Sequence, residues 1–330
     1  MIKHGIDGLN YKLTSMAKAE STLPNQSGDL FLTDGGLETS LIFLDGFELP
    51  AFAAFDLLKD DRGNEGLRQY YRRYLDIAKD LSIRFILESP TWRANPDWMK
   101  KIGYPDSSVK DINQKAVQLM VDLKAEYEDR IPDLLISGCI GPRGDGYKAE
   151  NMMTVDQARD YHSKQIEAFS ETPVDMITAI TMNYVEEASG IAAAASAFNL
   201  PAVISFTVET NGKLPTGMSL REAIETVDEN ATAKPLYYMI NCAHPTHFYH
   251  ELENGEQGGW ISRIMGIRAN ASCKSHAELD EATELDSGNP TELGVAHKQL
   301  KNLLPHLRVF GGCCGTDERH ILEISKHLIS

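Results

Sequence analysis

Two of the chain's five cysteines are adjacent, in Gly311-Gly312-Cys313-Cys314-Gly315-Thr316. Successive side chains point to opposite sides of an extended backbone. Cys313 and Cys314 can therefore share one metal only if the chain turns sharply between them, and the flanking glycines permit such turns. Two thiolates need a third partner to hold zinc, and Cys242, in Asn241-Cys242-Ala243-His244-Pro245, can supply it. A zinc held by three thiolates keeps an open fourth position, whereas structural zinc sites are closed by four protein ligands. Such a centre would be a site for chemistry on a sulfur or a water. Two blander uses of the pair stand beside this one: a vicinal Cys313–Cys314 disulfide in a redox role, or buried thiols serving as small hydrophobes. Cys139 and Cys273 are expected to stay outside the cluster, as are His244 and His247, which read as histidines of a solvent-facing helix.

Composition narrows the field. The 330 residues are 42% hydrophobic and 24% charged, ordinary for a globular chain. The formal charge of -16 disfavours nucleic acid and anionic membrane surfaces as partners. Apolar runs fall well short of the ~20 residues that span a bilayer. The cysteines are odd in number and are not spaced like a secreted disulfide framework. A reducing, cytoplasmic setting follows, in which thiols stay available to a metal.

The elements that position the cysteines come from an alternating rhythm. Residues 1–28 are polar and aperiodic and read as an N-terminal extension. From 29 to 330, short β-branched runs alternate with longer amphipathic stretches. Candidate strands fall at 30–33, 84–87, 134–137, 175–180, 202–207, 236–240, 261–267 and 308–310. Candidate helices fall at 66–81, 108–128, 154–170, 185–198, 219–229, 245–253, 290–304 and 317–328. Thr154-x-x-Gln157 and Ser219-x-x-Glu222 are capping-box patterns that start two of them. Strict alternation predicts a parallel sheet with right-handed crossovers. Eight units predict closure, giving a single (β/α)8 TIM barrel. An open nucleotide-binding sheet loses its main signal, because Thr33-Asp34-Gly35-Gly36-Leu37 is not a Gly-x-Gly-x-x-Gly loop. In such a barrel the site lies at the C-terminal ends of the strands. That rule puts Cys242 after the sixth strand and Cys313 and Cys314 after the eighth, on one rim.

The set of Asp34-Gly35-Gly36, Asn241-Cys242 and Gly311-Gly312-Cys313-Cys314-Gly315-Thr316 resembles the zinc-dependent homocysteine S-methyltransferase family, over roughly residues 29 to 328. Glu88-Ser89-Pro90-Thr91 and Ser137-Gly138-Cys139-Ile140-Gly141-Pro142 add to the likeness. The resemblance implies a zinc cofactor on Cys242, Cys313 and Cys314. The acceptor sulfur completes the tetrahedron, and a methyl group arrives from a sulfonium or ammonium donor to give methionine from homocysteine. It implies that Asp34 and Gly35 lie beside the substrate, that Thr91 lies near its amino-acid part, and that Asn241 orients the zinc loop. Glu88 either meets a cation there or joins an ion pair at the barrel top. Trp92, Tyr184 and Phe206 are candidate walls for a cationic donor. One position departs from the family. Its members usually hold the substrate's amino group with a glutamate at the end of the fourth strand, and Ile180 stands there in this chain. Glu88 or Asn183 then takes the ammonium, or the acceptor is a different thiol. A zinc protein that senses thiols without catalysis is the other alternative.

Overall fold

The computed structural model describes residues 22–231, 234–255 and 259–329. Eight parallel strands close into a barrel in chain order. They are β1 (Phe31–Leu32), β2 (Arg84–Glu88), β3 (Leu134–Ile140), β4 (Met176–Met182), β5 (Ala202–Thr207), β6 (Tyr238–Asn241), β7 (Ile264–Ala269) and β8 (Val309–Gly312). The ring is sealed by β1 pairing with both β2 and β8. All eight expected helices form on the outside, the longest being Asp61–Leu81 and Ser108–Tyr127. Both expected capping boxes are made, at Thr154 with Gln157 and at Ser219 with Glu222.

Alternation along the strands sorts residues into two layers. Leu32, Phe85, Leu87, Leu134 and Ile136 face outward and belong to the large core between barrel and helices. Phe31, Ile86, Leu135, Met176, Val203 and Val309 fill the interior near the N-terminal ends of the strands. The described end of the expected extension belongs to this floor: Leu23 packs on the interior cluster, and the Thr22 N–H donates to Asp133 at 3.3 Å. Residues 1–21 of that extension lie outside the described residues.

Three departures have local causes. The long helix starts at Asp61 rather than 66, because the Asp60 side chain caps it by accepting from Gly63 N. Residues Ile261–Arg263 form a 3-10 turn instead of opening β7. There Arg263 is tied to Asp228 at 2.9 Å and to the carbonyl oxygens of Pro235 and Leu236, which turns the chain aside. Short helices also appear at Leu37–Phe43, Pro96–Lys101 and His276–Asp280. The last two carry side-chain caps from Asn95 and Ser275, while the first begins at Gly36, which has none to offer. Among the described residues no helix is long and apolar enough to cross a membrane.

Candidate metal and substrate site

Two residues beyond the apolar floor, the same strand faces become polar. Glu88 on β2, Ser137 on β3, Thr178 on β4, Ser205 on β5, Asn241 on β6 and Arg268 on β7 are all buried. Above them opens a cavity of about 440 Å³ whose wall includes Asp34, Gly35, Glu88, Cys242, Cys313 and Cys314.

The three cysteine sulfurs all lie within 4.8 Å of one another. The backbone holds each in place. After β8 the chain turns so that Thr316 N donates to Cys313 O at 3.1 Å, with Gly315 at φ +80. That is the third position of a turn requiring positive φ, which glycine adopts without steric cost. Gly311 is fixed by space instead, since a Cβ there would collide with Thr33 Oγ1. Cys313 N donates to Ala269 O at 2.8 Å, and Ala271 N donates to Cys314 O at 3.1 Å. Cys242 sits in the left-handed region at φ +53, an uncommon and costly conformation for a residue with a side chain. Its carbonyl accepts from Asn270 Nδ2 at 3.0 Å and from His276 Nε2 at 2.6 Å.

In this structure Cys242 and Cys313 are joined by a disulfide and Cys314 is a free thiol. The vicinal bond considered from the sequence is therefore not formed, and the full three-thiolate set requires this cross-strand bond to be reduced. Their Cα atoms are 5.3 Å apart, within the ordinary span of a disulfide. A disulfide and a shared metal are alternative uses of the same convergent sulfurs. Burial pushes the Cys314 thiol up to about 11, while the Tyr147 hydroxyl at 3.6 Å pulls the other way. A thiol so placed needs a neighbouring positive charge to ionise at neutral pH. The residues thus fit a thiophilic cation, since soft sulfur donors select zinc-like metals. Among the described residues no histidine or carboxylate joins the group. His244 caps its own helix, His247 bonds Cys273 O at 2.9 Å, Cys273 is exposed, and Cys139 is buried outside the trio.

The other expected residues divide by position. Asp34 lines the cavity and pairs with Arg268 Nη2 at 2.7 Å, while its second oxygen accepts from Tyr70 at 3.0 Å. Burial opposes the charge on Arg268, but Asp34 and Glu88 outweigh it and hold the guanidinium above its ordinary range. Gly35 also lines the cavity, and its carbonyl accepts from Arg268 at 3.3 Å. Glu88 reaches the cavity; burial pushes its carboxyl up to about 7 despite Arg268, and its Oε2 has no hydrogen-bond partner. Thr91 and Asn241 do not line the cavity. The Thr91 hydroxyl is used by Cys139 O at 2.6 Å, beneath the surface. The Asn241 amide accepts from Thr181 N and Ser205 Oγ and donates to Thr181 Oγ1. It thereby props a bulged end of β4, where the register shifts between Ala179 and Met182 and Thr181 has φ +66. That bulge presents Ile180 to the cavity. Of the aromatic candidates only Trp92 reaches the wall; Phe206 stacks on Tyr238, and Tyr184 accepts from Met153 N.

Sequence reasoning assigned no role to Arg268, Glu38, Arg93, Tyr147 or His276. Arg268 stood at a strand end, a usable signal. Tyr147 and His276 sit after β3 and β7 in long connections and meet over the cysteines, rings stacked at 4.0 Å. No local pattern announces such a meeting.

A sequence model described as homocysteine S-methyltransferase matches residues 31–328. The chain is 24% identical over 334 residues to homocysteine S-methyltransferase 1 of Brassica oleracea var. italica, covering 93% of this chain and 95% of that protein. It is 23% identical over 346 residues to the selenocysteine Se-methyltransferase of the same plant, with 96% of each chain covered. Among solved structures it resembles the homocysteine methyltransferase MmuM of Escherichia coli. The oxidised form gives a TM-score of 0.70 at 19% identity over 92% of this chain and 98% of that one. The metallated form gives 0.68 at 17% identity, over 92% and 97%. Those likenesses speak for the fold, and the sequence match spans nearly the whole barrel. This chain belongs to the homocysteine S-methyltransferase family.

Proposed function

We propose that the chain moves a methyl group from a sulfonium or ammonium donor to the thiol of homocysteine, giving methionine, with zinc on reduced Cys242, Cys313 and Cys314. One observation carries this reading: three sulfurs from two strands meet within 4.8 Å on the wall of a cavity at the catalytic rim of the barrel. Zinc bound there would favour the thiolate over the thiol in an incoming acceptor, and the thiolate is the nucleophile.

The chain's own residues do the rest. Asn270 and His276 hold the Cys242 carbonyl, and Asn241 props the neighbouring β4 bulge, so the sulfur positions are set before substrate arrives. The stacked Tyr147 and His276 place ring surface beside Cys314 and Cys242, and a less hydrated wall favours a reaction that discharges a positive donor. Phe43 and Phe52 line the same cavity while 45% and 43% exposed, so they offer ring faces to a cationic donor entering from solvent. Thiols must stay reduced for this, which suits a cytoplasmic setting.

The test is methionine production by reduced, zinc-loaded protein from homocysteine with S-methylmethionine, S-adenosylmethionine or betaine. Zinc-loaded protein that makes no methionine with any of them would sink the reading. A second reading, a different acceptor, has Ile180 in its favour, because an isoleucine on the wall cannot hold an ammonium. The plant relative named for selenocysteine makes that selenol the first alternative to assay.

A further inference from the structure

Glu38 and Arg93 both line the cavity, and among the described residues neither has an ion-pair partner. Among the other charged wall residues, Asp34 and Arg268 hold each other, Asp286 pairs with Lys274 at 3.0 Å, Asp145 accepts from Tyr147 N at 2.8 Å, Glu88 is buried in the field of Arg268, and Asp280 and Glu284 are exposed. Glu38 stands in the first turn of the helix Leu37–Phe43 and is only partly exposed. Burial pushes its carboxyl up to about 7, and nearby Arg93 and Arg268 do not cancel that cost.

Arg93 is 8% exposed. Its guanidinium lies 3.5 Å from the Trp98 ring centroid and 4.2 Å from that of Trp92. Nη1 donates to Gly144 O at 3.1 Å, and Nε has no partner. Burial lowers it to about 10, so it remains a cation at neutral pH; the carboxylates that act on it are Asp145 first and then Glu38, and neither forms an ion pair with it. The two side chains act on each other electrostatically, and Glu38 also acts on Cys314. One cavity therefore combines a sulfur site, an unpaired carboxylate, an unpaired guanidinium and the apolar Ile180. Those are the complements of a thiol, an ammonium, a carboxylate and a methylene chain.

We propose that Glu38 and Arg93 form a two-point clamp for a zwitterion, Glu38 holding the α-ammonium and Arg93 the α-carboxylate of an amino acid whose sulfur lies at the three cysteines. The ligand class rests on the methyl-transfer reading. The clamp accounts for Ile180: the ammonium is met from the helix after β1, so β4 is free to present an apolar side chain to the methylenes.

Calorimetric binding to reduced, zinc-loaded protein tests this with three thiols. They are L-homocysteine, 4-mercaptobutanoate, which lacks the ammonium, and 3-mercaptopropylamine, which lacks the carboxylate. Wild type should bind homocysteine tightest. Glu38→Gln should weaken homocysteine and 3-mercaptopropylamine by about 10- to 100-fold and leave 4-mercaptobutanoate unchanged. Arg93→Met should show the opposite pattern, with Arg93→Lys between it and wild type. If Arg93→Met fails to fold, Glu38→Gln and Arg93→Lys carry the test. Equal weakening of all three thiols, no weakening, or no binding by wild type overturns the clamp. Methionine formation in the same samples reports on the parent reading. Homocysteine bound with the expected pattern but never methylated defeats methyl transfer and leaves the clamp standing. Homocysteine methylated without charge-specific losses defeats the clamp alone.

Discussion

The two ends of the barrel interior are made by the same strands under the same alternation, yet they answer to different demands. At the N-terminal end Ile86, Leu135, Met176 and Val203 pack with Leu23 into a dry floor. Two residues further along those strands stand Glu88, Ser137, Thr178 and Ser205, each buried and each polar. The floor is satisfied by contact alone. The upper layer must pair every charge and hydrogen bond, and it does so incompletely, leaving Glu88 Oε2 and Arg93 Nε without partners. Beside the cavity Thr181 and Cys242 take positive φ, while at the lower end positive φ is confined to residues such as Ser82 and Asn199 in the loops that lead into strands. The lower layer spends its side chains on stability, whereas the upper layer holds groups that a ligand can complete.

The hardest way to break this contrast is at the cysteines. Cys314→Ala should take zinc from about one per chain to near zero and reduce methionine formation to background. The metal-free fold should change by less than ~1 kcal/mol, because Cys314 is only partly buried. Elemental analysis beside urea melts checks it, and a variant that keeps its zinc would dissolve the distinction. Next come two substitutions of similar energetic weight. Met239→Ala, in the floor, should cost ~2–5 kcal/mol of stability through its cavity but leave kcat and KM of the folded enzyme within about twofold. Arg268→Met, in the upper layer, should cost ~3–5 kcal/mol by leaving Asp34 buried and unpaired, and should also impair turnover. If both variants lose activity in parallel with stability alone, the two layers do not differ in role.

A smaller effect separates the layers by pH. Glu88 is 4% exposed, and burial raises its carboxyl from an ordinary 4.5 to about 7. A raised carboxyl favours the folded state fully below pH 4.5, and that contribution is lost as pH rises through 7. Glu88→Gln removes the dependence. Its stability relative to wild type should improve by about 2–3 kcal/mol between pH 4.5 and 8 in metal-free protein. Met239→Ala should show no such trend. Parallel pH curves for wild type and Glu88→Gln would place the carboxylate in ordinary solvent.

The legibility of the chain follows this same division. The floor and the helix layer were readable because period-two and period-3.6 patterns record burial directly, and the capping boxes at Thr154 and Ser219 mark helix starts by local chemistry. The cysteine trio was readable because its members sit at strand ends, where topology dictates a common rim. Thr91 reads as a residue near the substrate and Asn241 as one that orients the zinc loop; the hydrogen bonds put Thr91 beneath the cavity surface and Asn241 under the β4 bulge. Strand-end position cannot tell a side chain that faces a ligand from one that props its neighbour. Glu38 was hidden in a helix whose first residue follows an uncapping glycine. Tyr147 and His276, 129 residues apart by number, meet through loops whose paths no periodicity records.

That meeting supplies the finest test of the upper layer. The Tyr147 ring stacks on His276, and its hydroxyl lies 3.6 Å from Cys314 Sγ. Burial holds the phenol protonated, well above its ordinary range, so toward a thiolate at Cys314 it acts as a neutral donor. His276 in turn bonds the Cys242 carbonyl, so the pair touches two of the three cysteines from above. Tyr147→Phe keeps the ring and removes one hydrogen bond. The fold should lose no more than ~1 kcal/mol. Zinc affinity, read by competition with a chelator, should fall by roughly tenfold, as expected when an outer partner of a metal ligand is removed. Tyr147→Ala also removes the stacked ring beside the cysteines, so it should lose more, chiefly in turnover. Equal losses in the two variants would mean that the hydroxyl, and not the ring, is what the loop contributes. No loss in either would reduce the loop to a lining of the cavity and leave the cysteines held from below alone.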